Sequence, residues 1–365
     1  MSFASVWGFA LVGIEAVSVR VEVHARSGLP GVSIVGLPGA AVKEARERIR
    51  SGAAAGGYPL PTQRITINLS PGDVPKDGPG FDLPMALAAM AACGYVDPAK
   101  VQRVGAVGEV ALDGMVRPAR GMLSIAEQAS KLTLDLLVIP VSGLPEADAV
   151  SSIPVVAVKS LSEAVAVLRD PIVARRLIDR GKRWSRLRLR TGSADSVTAS
   201  ISDMREVKGH AHAKRVLEVV AAGGHHLLMV GSPGTGKTML ARRLPGILPP
   251  LSRQEALEVT KVWGATGVQQ GHGGLVRERP FRAPHHTASR ASIVGGGLTL
   301  RPGEVSLAHR GVLFLDELPE FSRDTLEALR QPLEEGRISI GRRNGTLLLP
   351  AECSLVAAMN PCPGR

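Results

Sequence analysis

Two periods of hydrophobic and polar residues alternate in the first half of the chain. Val17, Val19, Val21 and Val23 take turns with Ser18, Arg20 and Glu22, the period of two that marks a half-buried strand. A Gly/Pro turn at residues 27–31 leads into a second strand at 32–35. Val42, Ala45 and Ile49 then fall at helical spacing among Lys43, Glu44, Arg46, Glu47 and Arg48. Residues 64–69 predict a strand, 82–93 an apolar helix, and 107–116 a hairpin turning at Asp113-Gly114. A helix near 120–131, strands at 134–139 and 155–158, and a helix at 161–169 complete the series. The mixture lacks strict βαβ alternation, so residues 1–168 read as an α+β domain.

The pattern changes at residue 169. Residues 169–190 carry nine basic side chains against Asp170 and Asp179, a net of +7 within a chain whose formal charge is +11. Residues 191–202 are rich in Ser, Thr, Gly and Ala, as flexible connections are. The whole stretch 169–202 is therefore expected to be a basic linker. A solvated helix or linker explains the charge, and so does contact with phosphates, because clustered Lys and Arg release counterions from a nucleic-acid backbone. On the second reading, Arg183, Arg186, Arg188 and Arg190 are the candidate DNA contacts. From 203 to 365 the pattern is α/β, with a helix at 212–222, a buried strand at 226–230 and a helix near Thr238.

Composition narrows the classes. At 44% hydrophobic residues, the 365-residue chain can bury real cores and is not a disordered protein. Aromatics at 3% argue against a base-stacking platform. Cys93, Cys353 and Cys362 are too few and too scattered for a disulfide scaffold, which fits a reducing, cytoplasmic location. No apolar run reaches the ~18–20 residues of a membrane helix. Residues 1–15 read as a strand rather than a signal peptide.

The sharpest chemistry lies at residues 231–238. Gly231, Ser232, Pro233, Gly234, Thr235, Gly236, Lys237 and Thr238 match G-x-x-x-x-G-K-[ST] between an apolar strand and a helix, the context that defines a P-loop. Its glycines let backbone N–H groups wrap phosphates, Lys237 reaches the β- and γ-phosphates, and the Thr238 hydroxyl ligates Mg²⁺. Met239 follows on the helix and completes the expected nucleotide contacts. Residues 311–317 form an apolar strand ending in Asp316 and Glu317. Asp316 suits the carboxylate that holds Mg²⁺, and Glu317 suits the general base that activates water. A third apolar strand, 354–359, ends at Asn360, placed to hold the attacking water. ATP and Mg²⁺ are thus the expected cofactors, with Glu317, Lys237 and Asn360 as catalytic residues.

In their order these sites resemble an AAA+ ATPase. Residues 207–226, Arg282-Ala-Pro-His-His-Thr-Ala-Ser289, 311–321, 329–336 and Ala358-Met-Asn-Pro-Cys362 resemble the YifB/ComM family of magnesium-chelatase-like ATPases over essentially the whole chain. That family usually has Gln where this chain has His210, a change it is expected to tolerate near the base-binding edge. The resemblance implies an α/β P-loop AAA+ core of the helix-2-insert type with a pre-sensor-1 hairpin. More than seventy residues separate Thr238 from the strand at 311, which leaves room for an insert. Segments 337–341 and 346–349 flank Asn344-Gly345, a hairpin signal. Arg342 and Arg343 near its tip would face the pore of a ring or form a solvated basic turn.

The N-terminal domain resembles the Lon-protease-like domain of the same family, a ribosomal-protein-S5-domain-2-like fold. Residues 75–80 parallel the Lon motif that ends in its nucleophilic serine, and Gly80 stands at that position; Leu123 stands where the lysine would be. A Ser–Lys dyad needs a hydroxyl and an amine, so this domain is expected to be catalytically dead. Family members continue beyond the position of Arg365 with an arginine finger and a helical lid. His225, His226, His272, His285, His286 and His309 lack the Cys or acid spacing of zinc sites. His285 and His286 suit a ring interface or packing of the insert.

The resemblance implies a hexameric ATPase that acts on single-stranded or branched DNA, driving branch migration or unwinding during recombination of incoming strands, with no membrane partner. A magnesium-chelatase motor subunit and a non-hydrolysing, ATP-binding interaction protein remain the alternatives.

Overall fold

The computed structural model describes residues 2–191, 203–268, 274–296, 301–342 and 345–361, with the side chains of 185–191, 342 and 345 left aside. The chain divides into two compact units, Met1–Ala194 with Gly267–Gly274, and Asp195–Thr266 with Leu275–Arg365.

The first unit is built on a mixed seven-stranded sheet. Its strands are β1 (Ser2–Val12), β2 (Glu15–Arg26), β3 (Gly31–Val35), β4 (Arg64–Ser70) and β5 (Val104–Ala106). A small hairpin, β6 (Glu109–Val110) with β7 (Val116–Arg117), stands outside the sheet, and β8 (Leu136–Pro140) and β9 (Val155–Val158) complete it. The order is β3-β4-β2-β1-β5-β8-β9. Antiparallel pairing joins β1 to β2 and β2 to β4, and the remaining neighbours are parallel. The alternating valines explain β2: Val19, Val21 and Val23 are fully buried while Arg20 and Glu22 reach the other face.

Helices cover this sheet. They are α1 (Ala40–Ala55), α2 (Asp82–Ala92), α3 (Pro98–Val101), α4 (Met122–Ser130), α5 (Leu144–Asp148) and α6 (Leu161–Arg169). Every residue of α2 is buried, as a helix that is apolar all round must be. Asp82, its first residue, accepts from Arg48 Nε at 2.7 Å and Nη2 at 3.0 Å and from the Val110 N–H at 3.2 Å. Burial still pushes the Asp82 carboxyl up, against the pull of the Arg48 hydrogen bond.

The expected linker begins later than the charge run suggests. Residues Pro171–Thr191 form a continuous helix, α7, which packs on α6 and β9. The reason is an apolar stripe hidden among the arginines. Leu177 is buried, and Val173, Ala174 and Ile178 pack against the same core.

The second unit carries a parallel sheet of P-loop type. Helix α8 (Ala211–Gly223) precedes β10 (Leu227–Val230), α9 (Lys237–Arg243) and α10 (Arg253–Thr266). Then come β11 (Phe281–Arg282), α11 (Arg290–Val294), the paired β12 (Gly295–Gly296) and β13 (Arg301–Pro302), and α12 (Glu304–Leu307). After β14 (Val312–Leu315) and α13 (Arg323–Glu335), β15 (Arg337–Arg342) and β16 (Gly345–Pro350) form an antiparallel hairpin, as the Asn-Gly signal predicts, and β17 (Ser354–Met359) follows. The sheet order is β10-β17-β14-β11, so the last strand inserts between the first and third. A Cβ at Gly311 would sit 2.1 Å from the Pro280 carbonyl oxygen, so only glycine admits β11 this close to β14.

Buried polar groups lock this sheet to its surroundings. His309 is buried, and its Nδ1 accepts from the Glu352 N–H at 3.1 Å. Its Nε2 therefore carries the proton of the neutral ring and donates to Glu258, 3.1 Å away. Burial holds the His309 pKa down, opposed by the hydrogen bond to Glu258. Arg310 bonds the same Glu258 at 2.9 Å. His226 Nδ1 accepts from Leu355 N–H at 2.9 Å and pins the start of β10 to β17. Both histidines thus serve as hydrogen-bond partners of the fold. Among the described residues no three His, Cys, Asp or Glu side chains converge as a metal site, and no helix is long and apolar enough to cross a membrane.

Candidate functional site

Parallel pairing sets the geometry of the site. Val230 pairs with Met359, and Leu315 with Ala357. The strands therefore end together, and the residues that follow, Gly231, Asp316 and Asn360, emerge at one edge of the sheet. This is the carboxyl edge, where ligands of open α/β sheets bind. Apolar packing fixes the strands below it: Val312, Phe314, Val356 and Ala358 are buried, and Phe281 stacks on Phe314 with centroids 6.0 Å apart.

The 231–238 loop leaves β10 and enters α9. Gly234 and Gly236 take φ of +78° and +80°, conformations that glycine adopts without strain. The loop is also tied internally, with Thr235 Oγ1 donating to the Ser232 carbonyl at 2.8 Å. Ser232, Pro233, Gly234, Thr235 and Met239 are exposed. Lys237 Nζ donates to the carbonyls of Gly231 at 2.6 Å and Ser232 at 3.0 Å, and to Asn360 Oδ1 at 3.0 Å. Its ammonium thus sits between the loop and the end of β17. Thr238 Oγ1 donates to Asp316 Oδ2 at 2.7 Å. The other Asp316 oxygen accepts the Glu317 N–H at 3.0 Å.

A hydroxyl and a carboxylate in contact at the start of a helix form a hard oxygen donor set. Mg²⁺ favours such a set, bound through one or two protein oxygens with phosphate and water completing its octahedron. The donors present therefore fit that ion. Glu317 takes φ +52° and is 56% exposed, so its carboxylate stands in solvent at the same edge.

Lys237, Thr238, Asp316, Glu317 and Asn360, nominated from sequence, are brought together here. Arg183 is exposed on α7 in the first unit. Arg186, Arg188 and Arg190 continue that helix, and Arg342 ends β15, but their side chains lie outside the described ones. Arg343 falls outside the described residues altogether.

Two histidines also approach the site, and of these His286 is the one that the sequence did not assign to it. His286 Nδ1 lies 3.6 Å from Glu317 Oε2, with its ring against that of His285 at 4.1 Å and edge-on to Phe321 at 6.5 Å. The Arg282-to-Ser289 motif held the signal, since it follows β11, the strand beside β14. His210, at φ +53°, heads α8. A Cβ on Gly236 would meet Met239 Cε at 3.1 Å and His210 Nε2 at 4.0 Å, so both side chains border the loop.

In the first unit, Gly80 faces apolar neighbours. A Cβ there would lie 3.3 Å from Val107 Cγ2 and 3.7 Å from the Ala119 Cβ, and Leu123 is buried in the core.

Comparison with known proteins gives a consistent result. A family described as magnesium chelatase, subunit ChlI, matches residues 203–365, and one described as subunit ChlI of Mg-chelatase matches residues 21–143. The YifB protein of Salmonella typhimurium is 44% identical over 366 residues, an alignment that covers 100% of this chain and 69% of the relative. The competence protein ComM of Haemophilus influenzae is 42% identical over 373 residues, with 100% of this chain and 69% of ComM covered. The DNA replication licensing factor MCM3 of Gallus gallus is 28% identical over 143 residues, 39% of this chain and 15% of MCM3. Full-length identity at this level places the chain in the YifB/ComM family of magnesium-chelatase-like AAA+ ATPases.

Proposed function

We propose that the chain is an ATP-hydrolysing motor subunit that works on DNA, in a ring of like subunits in the cytoplasm. The observation that carries the hydrolytic part is the meeting of Lys237, Thr238, Asp316, Glu317 and Asn360 at the ends of three adjacent parallel strands. The loop backbone of residues 231–236 and the first turn of α9 cradle the phosphates. Lys237 exchanges carbonyl partners for β- and γ-phosphate oxygens, and Met239 and His210 border the nucleotide. Thr238 and Asp316 are the residues that would hold Mg²⁺, and the ion would supply positive charge beside the phosphates. Glu317 takes the proton of the attacking water, while Asn360, already bonded to Lys237, holds that water near the γ-phosphate.

DNA as the partner is supported by the net charge of +11 and by the name of the MCM3 relative. Branched or single-stranded DNA in recombination is the substrate this reading assigns, with Arg342 and Arg343 on the β15–β16 hairpin as contacts. The family described as a chelatase subunit favours a second reading, a motor that drives metal insertion through a partner. DNA stimulation of turnover separates the two.

Lys237→Ala tests the nucleotide site. Calorimetry should show ATP affinity falling at least about a hundredfold, the loss of roughly 2.7 kcal/mol or more. Unchanged affinity would remove the 231–238 loop from the account.

A further inference from the structure

The helix α7 sorts its residues by face. Val173, Ala174, Leu177, Ile178 and Gly181 recur at three- and four-residue spacing, and they are the buried and half-buried positions. Ile172, Arg175, Arg176, Asp179, Arg180 and Arg183 recur at the same spacing on the opposite side. These six exposed residues line an open groove of about 520 Å³. Arg180 shares Glu163 at 3.3 Å. Among the described residues, Arg175, Arg176 and Arg183 have no acidic partner within salt-bridge distance. Arg175, Arg176 and Arg183, with Asp179 as the one acid among them, are therefore held on one face by a helix that the core keeps from rotating.

We propose that this arginine stripe is a docking surface for the phosphate backbone of duplex DNA. Charge complementarity selects a polyanion, and the geometry selects among polyanions. From residue 172 to 183 the stripe runs about 16 Å along the helix, a length over which duplex DNA presents about nine or ten phosphate charges. The exposed face carries arginines, which pair with phosphate oxygens whatever the sequence, so the contact is assigned to the backbone rather than to base edges. One exposed aromatic, Trp184, borders the stripe, and a single ring offers no run of stacking positions for successive bases. An interfacial membrane helix inserts its apolar face, and here that face is occupied by the protein core. The inference rests on the reading of DNA as partner and locates that contact on the first unit.

The test uses the full chain and a fluorescent duplex, titrated at several salt concentrations. The Arg175→Gln/Arg176→Gln/Arg183→Gln variant removes three phosphate-neutralising charges. Its log–log salt slope should be shallower by about 2.7, roughly 0.9 for each phosphate no longer neutralised. Affinity should fall equally on two unrelated sequences. The Arg175→Lys/Arg176→Lys/Arg183→Lys variant keeps the charge and should keep the slope. An unchanged slope and affinity in the Gln variant, in a chain that binds duplex normally, overturns the inference and leaves the partner reading standing. Absence of duplex binding by the wild-type chain at low salt overturns the inference, and absence of binding to single-stranded and branched DNA as well sinks the partner reading. Retained DNA binding with lost binding to anionic phosphatidylserine vesicles or to a poly-glutamate peptide would assign the stripe to that other partner and overturn the proposal. Thermal unfolding of each variant should match the wild type, because the substituted side chains are exposed.

Discussion

The two units set some of their ionisable side chains to different uses. The first encloses three of them in its core: Asp82 is fully buried, Glu146 is 7% exposed, and Lys76 is fully buried with its ammonium donating to the Pro71 carbonyl. Each is committed to the fold, Asp82 to Arg48 and Glu146 to the Leu123 N–H at the start of α4. The second unit raises its charges to the carboxyl edge of a parallel sheet, where Lys237, Asp316 and Glu317 remain partly or largely exposed. A charge enclosed by a core stabilises one conformation. A charge at the end of a strand can exchange partners, as binding and proton transfer require. The comparison predicts that changes to the buried charges of the first unit act on stability, and changes at the strand ends of the second act on nucleotide chemistry.

The largest stability effect should come from Arg48→Ala. It leaves Asp82 buried with only the Val110 N–H as hydrogen-bond partner. Breaking a buried pair in this way costs about 3–5 kcal/mol. The 20% exposure of the Arg48 side chain places the expectation near the lower end. Denaturant unfolding measures it, and a loss below about 0.5 kcal/mol, the range of ordinary surface changes, would show that the ion pair is not a structural element.

A smaller, pH-dependent effect is expected at Glu146. Burial raises its carboxyl to about 7, against the hydrogen bond from Leu123. An acid whose folded pKa lies above its unfolded value binds its proton more tightly when folded. It therefore favours folding at low pH, and that advantage is lost as pH rises from about 4.5 to about 7. Glu146→Gln should be nearly neutral at pH 4 and stabilising by roughly 1–3 kcal/mol at pH 8. Equal effects at the two pH values would contradict a buried, proton-holding Glu146.

The strand ends of the second unit were legible in the sequence because each combines an apolar run with a polar terminus, and the order of motifs supplied their grouping. The alternating valines likewise revealed β2. The three-residue β5 and the four-residue α3 were not legible, because so short a segment completes no period. In α7 the apolar stripe was masked by the arginines between its members, so a packed helix read as linker. His286 required the sheet order. Its approach to Glu317 follows from β11 lying beside β14, and no local pattern encodes it. No local pattern encodes the role of His309, whose two ring nitrogens are engaged by the Glu258 carboxylate and the Glu352 N–H.

The central claim is that the strand ends of the second unit perform ATP hydrolysis with Glu317 as the base. The most direct measurement compares phosphate release with ATP binding in the wild-type chain and in Glu317→Gln, each with and without branched DNA. The account predicts turnover by the wild type, ATP affinity within about threefold in the variant, and a kcat reduced by about 10²–10⁴, the contribution of a general base. Hydrolysis by Glu317→Gln at the wild-type rate, with ATP bound equally well, would contradict it.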